Sequence, residues 1–423
     1  MKKTKFIRNC TLLLVILCSF FVANAQDTAQ IKSPSKWLRI FGINDDEIDT
    51  TNKKKWYNYI NVRGYGQVRY NRLLETNENL KCEQCDKSWG KDGGFFFRRL
   101  RLIIYGNLGN HIYFYIQPDF GSAASSTGLN FGQLRDAYVD VSPDKKGEFR
   151  FRIGQSKVPF GFENLQSSQN RIALDRNDAL NSAVSNERDI GVFFYYAPKK
   201  IRERFSMLVS KGYKGSGDYG VLGVGVYNGQ TANKLEIKKE PHIVARLTYP
   251  FKIGSQILEP SIQGYWGNYV MPSDLISKGV KIKPNLDYLD ARVAGSLILY
   301  PRPFGVQIEY NYGYGPEFNK LTDSIETKRL HGGYIMLNYM AKIKNHYIFP
   351  FVRMQMYEGG KKHEKDARSY SVRELEIGIE WQPLKYLEFV AMYTISSRRF
   401  EDYALKDNLQ KGRLLRLQTQ FNF

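Results

Sequence analysis

Gly412-Arg413-Leu414-Leu415-Arg416-Leu417-Gln418-Thr419-Gln420-Phe421-Asn422-Phe423 ends the chain with a period of two. Leu415, Leu417, Phe421 and Phe423 fall on one face with Thr419 in their row, and Arg416, Gln418, Gln420 and Asn422 fall on the other. Successive side chains of a strand point to opposite faces, so this stretch offers an apolar row to one medium and a polar row to another. A strand of a transmembrane β-barrel needs that division, with lipid outside and a wet lumen inside.

The opposite end sets the compartment. Lys2, Lys3, Lys5 and Arg8 precede the apolar run Leu12 to Val22, and Ala23-Asn24-Ala25 precedes Gln26. These features predict a secretory signal peptide over residues 1–25, cut after Ala25. A lipoprotein anchor needs a small residue just before its cysteine, whereas Cys10 follows Asn9 and Cys18 follows Leu17. Beyond the leader no stretch approaches the roughly 18 to 20 uncharged apolar residues of a spanning helix. An exported chain that enters a bilayer without such helices does so as a closed barrel, in which every backbone group is paired.

Removing the leader's four basic residues takes Lys+Arg from 62 to 58 against 42 Asp+Glu, a net charge of about +16. With 14% aromatic residues, the 29 Tyr and 26 Phe suit interfacial girdles, and a mean hydropathy of −0.45 suits a barrel with a polar interior. The positive excess would raise nucleic acid as a partner, but export separates the chain from it. Outer-membrane lipid and small anions are the expected partners, the anions drawn by a positive field.

Only Cys82 and Cys85 remain after cleavage, in the polar stretch 75–94. A zinc site would want two more thiols or histidines, and a thioredoxin-type motif would want a βαβ context. A local disulfide between Cys82 and Cys85 in an oxidising compartment is the simplest expectation. Neither a metal nor a cofactor is expected.

Period-two runs bounded by turn residues predict sixteen strands, near 57–71, 95–108, 111–120, 130–142, 147–157, 189–198, 219–227, 241–251, 256–268, 286–300, 304–315, 328–341, 346–357, 371–382, 386–396 and 412–423. The fold class is therefore all-β, a 16-stranded antiparallel transmembrane β-barrel over residues 56–423. Its links alternate between short periplasmic turns, such as Gly109-Asn110, and long external loops, such as 158–188. Link 199–218 is long on the short side, and its apolar stretch Arg204 to Val209 reads as part of that connection or as an extension of a strand. Residues 26–55 form a periplasmic N-terminal segment or a plug.

Alternation places Arg63, Arg69, Arg99, Arg101, Arg150, Arg152, Arg246, Arg292, Arg353 and Arg416 on inward faces. A guanidinium stays charged and offers a planar fork of donors that matches carboxylate or phosphate oxygens. Asp136, Asp140, Asp290, Glu309, Glu374, Glu376 and Glu380 also face inward. Two readings stay open: an oxyanion path, or a transverse ladder of ion pairs that merely holds a pore open. The sharpest concentration is Arg98-Arg99-Leu100-Arg101, in which Arg98 needs a rim position or a bulge to join the other two. The long loop 158–188, folded inward, would present Lys157, Ser167 and Ser168 as donors. Strict alternation from Phe149 puts Lys157 on the lipid side, so it counts only if the strand ends or bulges before it.

The chain resembles the phosphate-selective porin O and P family in Phe97-Arg98-Arg99-Leu100-Arg101-Leu102, Leu134-Arg135-Asp136-Ala137-Tyr138-Val139-Asp140, Gly154-Gln155-Ser156-Lys157-Val158-Pro159-Phe160-Gly161 with Ser167-Ser168 after it, and Arg188-Asp189-Ile190-Gly191-Val192. Order and spacing match over roughly residues 60 to 250, and a terminal Phe is how such barrels typically end. The resemblance implies a homotrimer of sixteen-stranded barrels in a Gram-negative outer membrane, an inward-folded third loop, and an arginine-lined path that leads anions such as phosphate to a constriction. It makes Arg98, Arg99 and Arg101 constriction or ladder groups, with Ser167, Ser168 and Lys157 as further donors.

A general, weakly selective porin and a surface adhesion barrel are the alternatives. An enzyme is not expected, because His111, His242, His331, His346 and His363 sit at turns, strand starts or a charged loop without a Gly-x-Ser-x-Gly or His-Glu-x-x-His motif. A TonB-dependent transporter would need a globular plug and a 22-stranded barrel.

Overall fold

The computed structural model describes residues 59–82, 94–121, 132–238 and 240–423. The expected signal peptide 1–25, the N-terminal segment 26–55 and Cys85 lie outside the described residues. Cys82 is disulfide-bonded.

Sixteen antiparallel strands close into one barrel. They are β1 Asn61–Leu73, β2 Phe95–Leu108, β3 Ile112–Asp119, β4 Gln133–Val141, β5 Phe149–Lys157, β6 Arg188–Tyr196, β7 Leu222–Tyr227 and β8 His242–Thr248, which resumes at Phe251–Ile253. The second half holds β9 Gln256–Val270, β10 Asp287–Leu299, β11 Phe304–Asn319, β12 Ser324–Tyr339 with its continuation Ala341–Ile343, β13 His346–Gly360, β14 Ser369–Leu384, β15 Leu387–Glu401 and β16 Leu409–Asn422. Each strand pairs with its sequence neighbours, and β1 pairs with β16 to close the ring.

The terminal alternation makes that seam. Arg416 and Gln420 are buried inside, while Leu417, Phe421 and Phe423 face outward. Gly64 and Phe423 exchange both backbone hydrogen bonds, at 2.7 and 3.0 Å. The Phe423 and Phe421 rings lie where a Cβ on Gly64 or Gly66 would come within 2.4 or 2.2 Å, so glycine at both positions lets the last two aromatics lie flat on the first strand. Aromatic pairs at the short-turn end, Trp381 with Phe389 at 5.5 Å and Phe149 with Tyr196 at 4.9 Å, form part of the interfacial girdle.

The bounds of the strands and links depart from the sequence expectation at the outer strand ends and in the 199–218 link. β11 and β12 run on to Asn319 and start again at Ser324, well inside the loop expected at 316–327, and β13 to β16 also extend at their outer ends. Strands that rise beyond the bilayer have no need of an apolar outer row, so the period-two signal fades before the strand does. Arg204 to Val209 is part of the 199–218 connection and not an extension of a strand, and that connection holds a helix, Lys199–Ser210, which neither reading expected. Its buried Ile201, Phe205 and Leu208 are spaced by four and three, one helical face, and pack with Phe162, Ile257, Ile298 and Tyr300.

Candidate functional site: the arginines of the lumen and the loop that meets them

The 158–187 connection folds into the barrel and carries two short helices, Phe162–Leu165 and Asp178–Asn181. Wall side chains hold it at several points. Glu309 of β11 accepts from the backbone N–H of Phe162 at 2.6 Å and of Glu163 at 2.8 Å, which satisfies donors at the start of the first helix. Arg353 of β13 bridges Glu163 of the loop, at 2.5 Å, and Glu376 of β14. Arg398 of β15 joins Asp178 at 2.6 Å to Glu374 at 2.7 Å. Arg69 and Arg416 both grip Asp175, and Arg292 donates to Ser182 Oγ at 2.7 Å.

All seven carboxylates expected inward are buried in the lumen, and most of the expected arginines meet a carboxylate, whether one of these seven or another from the wall or the loop. Arg152 makes a bidentate pair with Asp140 at 2.7 and 2.8 Å, and Arg246 meets Glu259 at 3.0 Å. Arg150 holds Asp218 at 2.7 Å, and Asp218 also accepts from Arg202 of the 199–210 helix. Over this part of the wall the arginines form the transverse ladder. Arg63 stands apart, exposed near one end of β1 with its guanidinium 5.6 Å from the Tyr105 ring centre.

The outer ends of β1 to β4 are arranged differently. A cavity of about 920 Å³ opens there, lined among the described residues by seven arginines and two lysines against five carboxylates. Arg98, Arg99, Arg101, Arg135, Arg171 and Arg176 supply most of that charge. Two β-bulges help to assemble them. In the β1–β2 ladder Gln67 faces Arg99 and Val68 faces Phe97, which leaves Arg98 as the extra residue. In the β3–β4 ladder Gln117 faces Asp136 and Pro118 faces Leu134, which leaves Arg135 extra. A bulge re-aims a side chain that strict alternation would send into lipid.

Within the cluster the carboxylates are few. Arg101 pairs with Asp119 at 2.7 Å, and Arg176 with Glu187 at 2.5 Å. Arg99 donates to Gln67 Oε1 at 2.9 Å and has no carboxylate within 4 Å among the described residues, and its Nε is buried without a partner. Arg171 donates to the carbonyls of Ala173 and Leu174, and its Nη1 is likewise unpartnered. Burial and the nearby Arg176 guanidinium push Arg171 down to about 9. An incoming anion would relieve both pressures, since it replaces lost hydration and offsets the like charge.

Of the other expected donors, Ser168 and Lys157 are engaged with protein. Ser168 Oγ is 2.7 Å from Tyr65 Oη and accepts from Arg101 Nη1 at 3.3 Å, while Ser167 is half-buried and its carbonyl closes a turn with Asn170. Lys157 lies inside, not on the lipid side that strict alternation gives it. Gly154 takes φ 123°, a conformation open mainly to glycine, and Gln155, Ser156 and Lys157 beyond it are all buried. The Lys157 ammonium donates to the carbonyls of Leu165 and Gln166 at 2.8 and 2.7 Å, so it anchors the loop. Arg135, Arg171, Arg176 and Arg398 were not singled out by sequence reasoning. Arg398 lies past the expected end of its strand, and Arg135 has the wrong parity without its bulge. For Arg171 and Arg176 the only signal was their place in a long loop.

A protein-family model described as phosphate-selective porin O and P matches residues 82–423. No curated protein matches the chain. Of solved structures, the chain is similar to the outer membrane channel DcaP of Acinetobacter baumannii, with a TM-score of 0.56 at 15% identity over 86% of this chain and 97% of that one. It is also similar to Salmonella typhi OmpF in complex with daunomycin, with a TM-score of 0.53 at 9% identity over 86% of this chain and 97% of that one. At such identities the likeness is one of fold.

Proposed function

We propose that this chain, an outer-membrane porin that belongs to the phosphate-selective porin O and P family, passes small anions down their gradient and favours phosphate or related oxyanions. The observation that carries this reading is the cationic cavity at the outer ends of β1 to β4, where Arg99 and Arg171 keep buried N–H groups that no carboxylate meets. An oxyanion drawn into the cavity exchanges part of its hydration for guanidinium donors. It then moves on past the inward loop, and its binding must stay weak enough for release. In this reading Arg98, Arg99, Arg101, Arg135, Arg171 and Arg176 are the anion-facing groups. Arg69, Arg150, Arg152, Arg246, Lys157 and Ser168 shape the wall and hold the loop. Assembly as a homotrimer belongs to the same proposal and is checked by the mass of the detergent-solubilised protein.

The test is a planar bilayer holding the purified protein, with the reversal potential measured across a KCl gradient and phosphate then titrated against the chloride current. Chloride preference with phosphate block supports the proposal, and Arg99→Ala should weaken the block. A near-zero or cation-selective potential without block leaves a general diffusion porin.

A further inference from the structure

On the outside of the barrel a second basic cluster faces away from the lumen. Arg373 on β14, Arg399 on β15, and Lys411 and Arg413 on β16 are all exposed and all on the outward parity. The ladders place them side by side. Arg373 faces Ser397, Arg399 lies two residues beyond Ser397, and Ser397 faces Lys411. Neighbours one strand over and two residues along stand roughly 7 to 8 Å apart, so the four charges form one patch with Ser371 and Ser397 hydroxyls among them. Arg373, Lys411 and Arg413 have no carboxylate within 4 Å among the described residues, and Arg399 has Glu401 at 3.8 Å. At the edge, Glu401 and Asp407 both meet Lys320, and Glu358 accepts from Ser371 Oγ at 2.7 Å.

The height of the patch identifies its surroundings. Below Arg373 the outward row of β14 runs Leu375, Ile377, Ile379 and Trp381, and below Lys411 and Arg413 that of β16 runs Leu415, Leu417, Thr419 and Phe421. Trp381 belongs to the girdle at the short-turn end, and Arg373 is eight residues away, roughly 26 Å along the strand. The lipid-facing band of such a barrel is about 25 Å tall. Even with the strand tilted, a long arginine reaches upward from that level to the headgroups. At the short-turn end the same strands carry aromatics in place of this charge.

We propose that Arg373, Arg399, Lys411 and Arg413 form a docking surface for the phosphorylated headgroup of a glycolipid in the outer leaflet of the outer membrane. Four like charges on adjoining strands repel one another unless an anion sits among them, and a phosphate-bearing lipid is the anion present at that depth. Clusters of basic side chains at a membrane surface recognise anionic lipids by this chemistry. The hydroxyl of Ser397 adds a neutral donor. This surface is independent of the lumen and of the anion selectivity proposed above.

The experiment uses the full-length folded protein in detergent, purified lipopolysaccharide as the probe, and EDTA to remove bridging divalent cations. Binding is read by native mass spectrometry and by the fluorescence of labelled lipopolysaccharide. The variant carrying Arg373→Gln, Arg399→Gln, Lys411→Gln and Arg413→Gln should bind at least about tenfold more weakly, with chloride selectivity unchanged. Wild-type protein should bind enzymatically dephosphorylated lipopolysaccharide as weakly as the variant binds the intact lipid. If the fourfold variant does not fold, Arg373→Gln with Lys411→Gln carries the same test. Equal binding by variant and wild type, or indifference to lipid phosphate, would overturn the proposal. Displacement by inorganic phosphate at millimolar concentration would overturn it too, since the patch would then be a site for the free ion.

Discussion

The arginines of β13, β15 and β16 and those at the outer ends of β2 and β4 are the same residue type on the same barrel, yet they sit in opposite electrostatic settings. Arg353, Arg398 and Arg416 each meet carboxylates from both the wall and the inward loop, and each is wholly buried. Arg98, Arg99, Arg101 and Arg135 share their cavity with Arg171 and Arg176, and positive groups outnumber negative ones there. The first set is matched within the protein and holds the loop in place. In the second, Arg101 meets Asp119 and Arg135 meets Glu187, but Arg99 has no carboxylate within 4 Å among the described residues, and the cavity as a whole stays in positive excess. An inward arginine is therefore matched by carboxylates or left in a positive excess according to what the loop brings to it.

The largest effect is expected from breaking the matched set. Arg353→Ala leaves Glu163 buried without its cation and Glu376 with Arg416 at 3.9 Å, at a cost of about 3–5 kcal/mol. Thermal unfolding should fall markedly, and single-channel recordings should show a larger, noisier conductance as the loop loosens. Unchanged melting and conductance would mean that the loop does not depend on this bridge.

Arg99→Ala combined with Arg171→Ala should leave melting nearly intact and weaken phosphate block by roughly tenfold or more, from the loss of charge-assisted bonds worth about 1.5–3 kcal/mol. A block as strong as wild type would move the anion site elsewhere. Gly154→Ala comes next. The new Cβ would meet the Ala137 carbonyl oxygen at 2.4 Å in a backbone conformation that alanine resists, a cost of about 1 kcal/mol or more. The variant should melt earlier and block less, since Lys157 no longer reaches the carbonyls of Leu165 and Gln166. Smallest of all, Arg63→Ala removes an exposed charge away from the cavity, so stability should stay within about 0.5 kcal/mol and phosphate block should not move. A loss of block equal to that of Arg99→Ala would extend the anion-binding zone down β1.

How far the sequence could be read depended on the range of the interaction. Strand existence and facing are local, because a row that alternates every second residue must be sorted between lipid and lumen wherever it lies. Leu417, Phe421 and Phe423 outside with Arg416 and Gln420 inside follow from that alone, and so do the seven inward carboxylates. Bulges escape the alternation rule. The need for one at Arg98 was visible because three guanidiniums crowd into four residues, whereas Arg135 gave no such warning. The helix at Lys199–Ser210 was legible only to a reader who gave Ile201, Phe205 and Leu208 more weight than the apolar run beside them.

By itself the sequence determined an exported all-β chain, its strand count, its division into lipid-facing and lumen-facing rows, and an interior rich in arginine. These are properties of period and composition, and they do not depend on which strand meets which loop. Only the tertiary structure decided which arginines are neutralised, because the deciding contacts join residues far apart in the chain, such as Arg416 with Asp175 across 241 positions. A Coulomb interaction between charges is settled by distance in space, and that distance exists only once the loop has folded into the barrel.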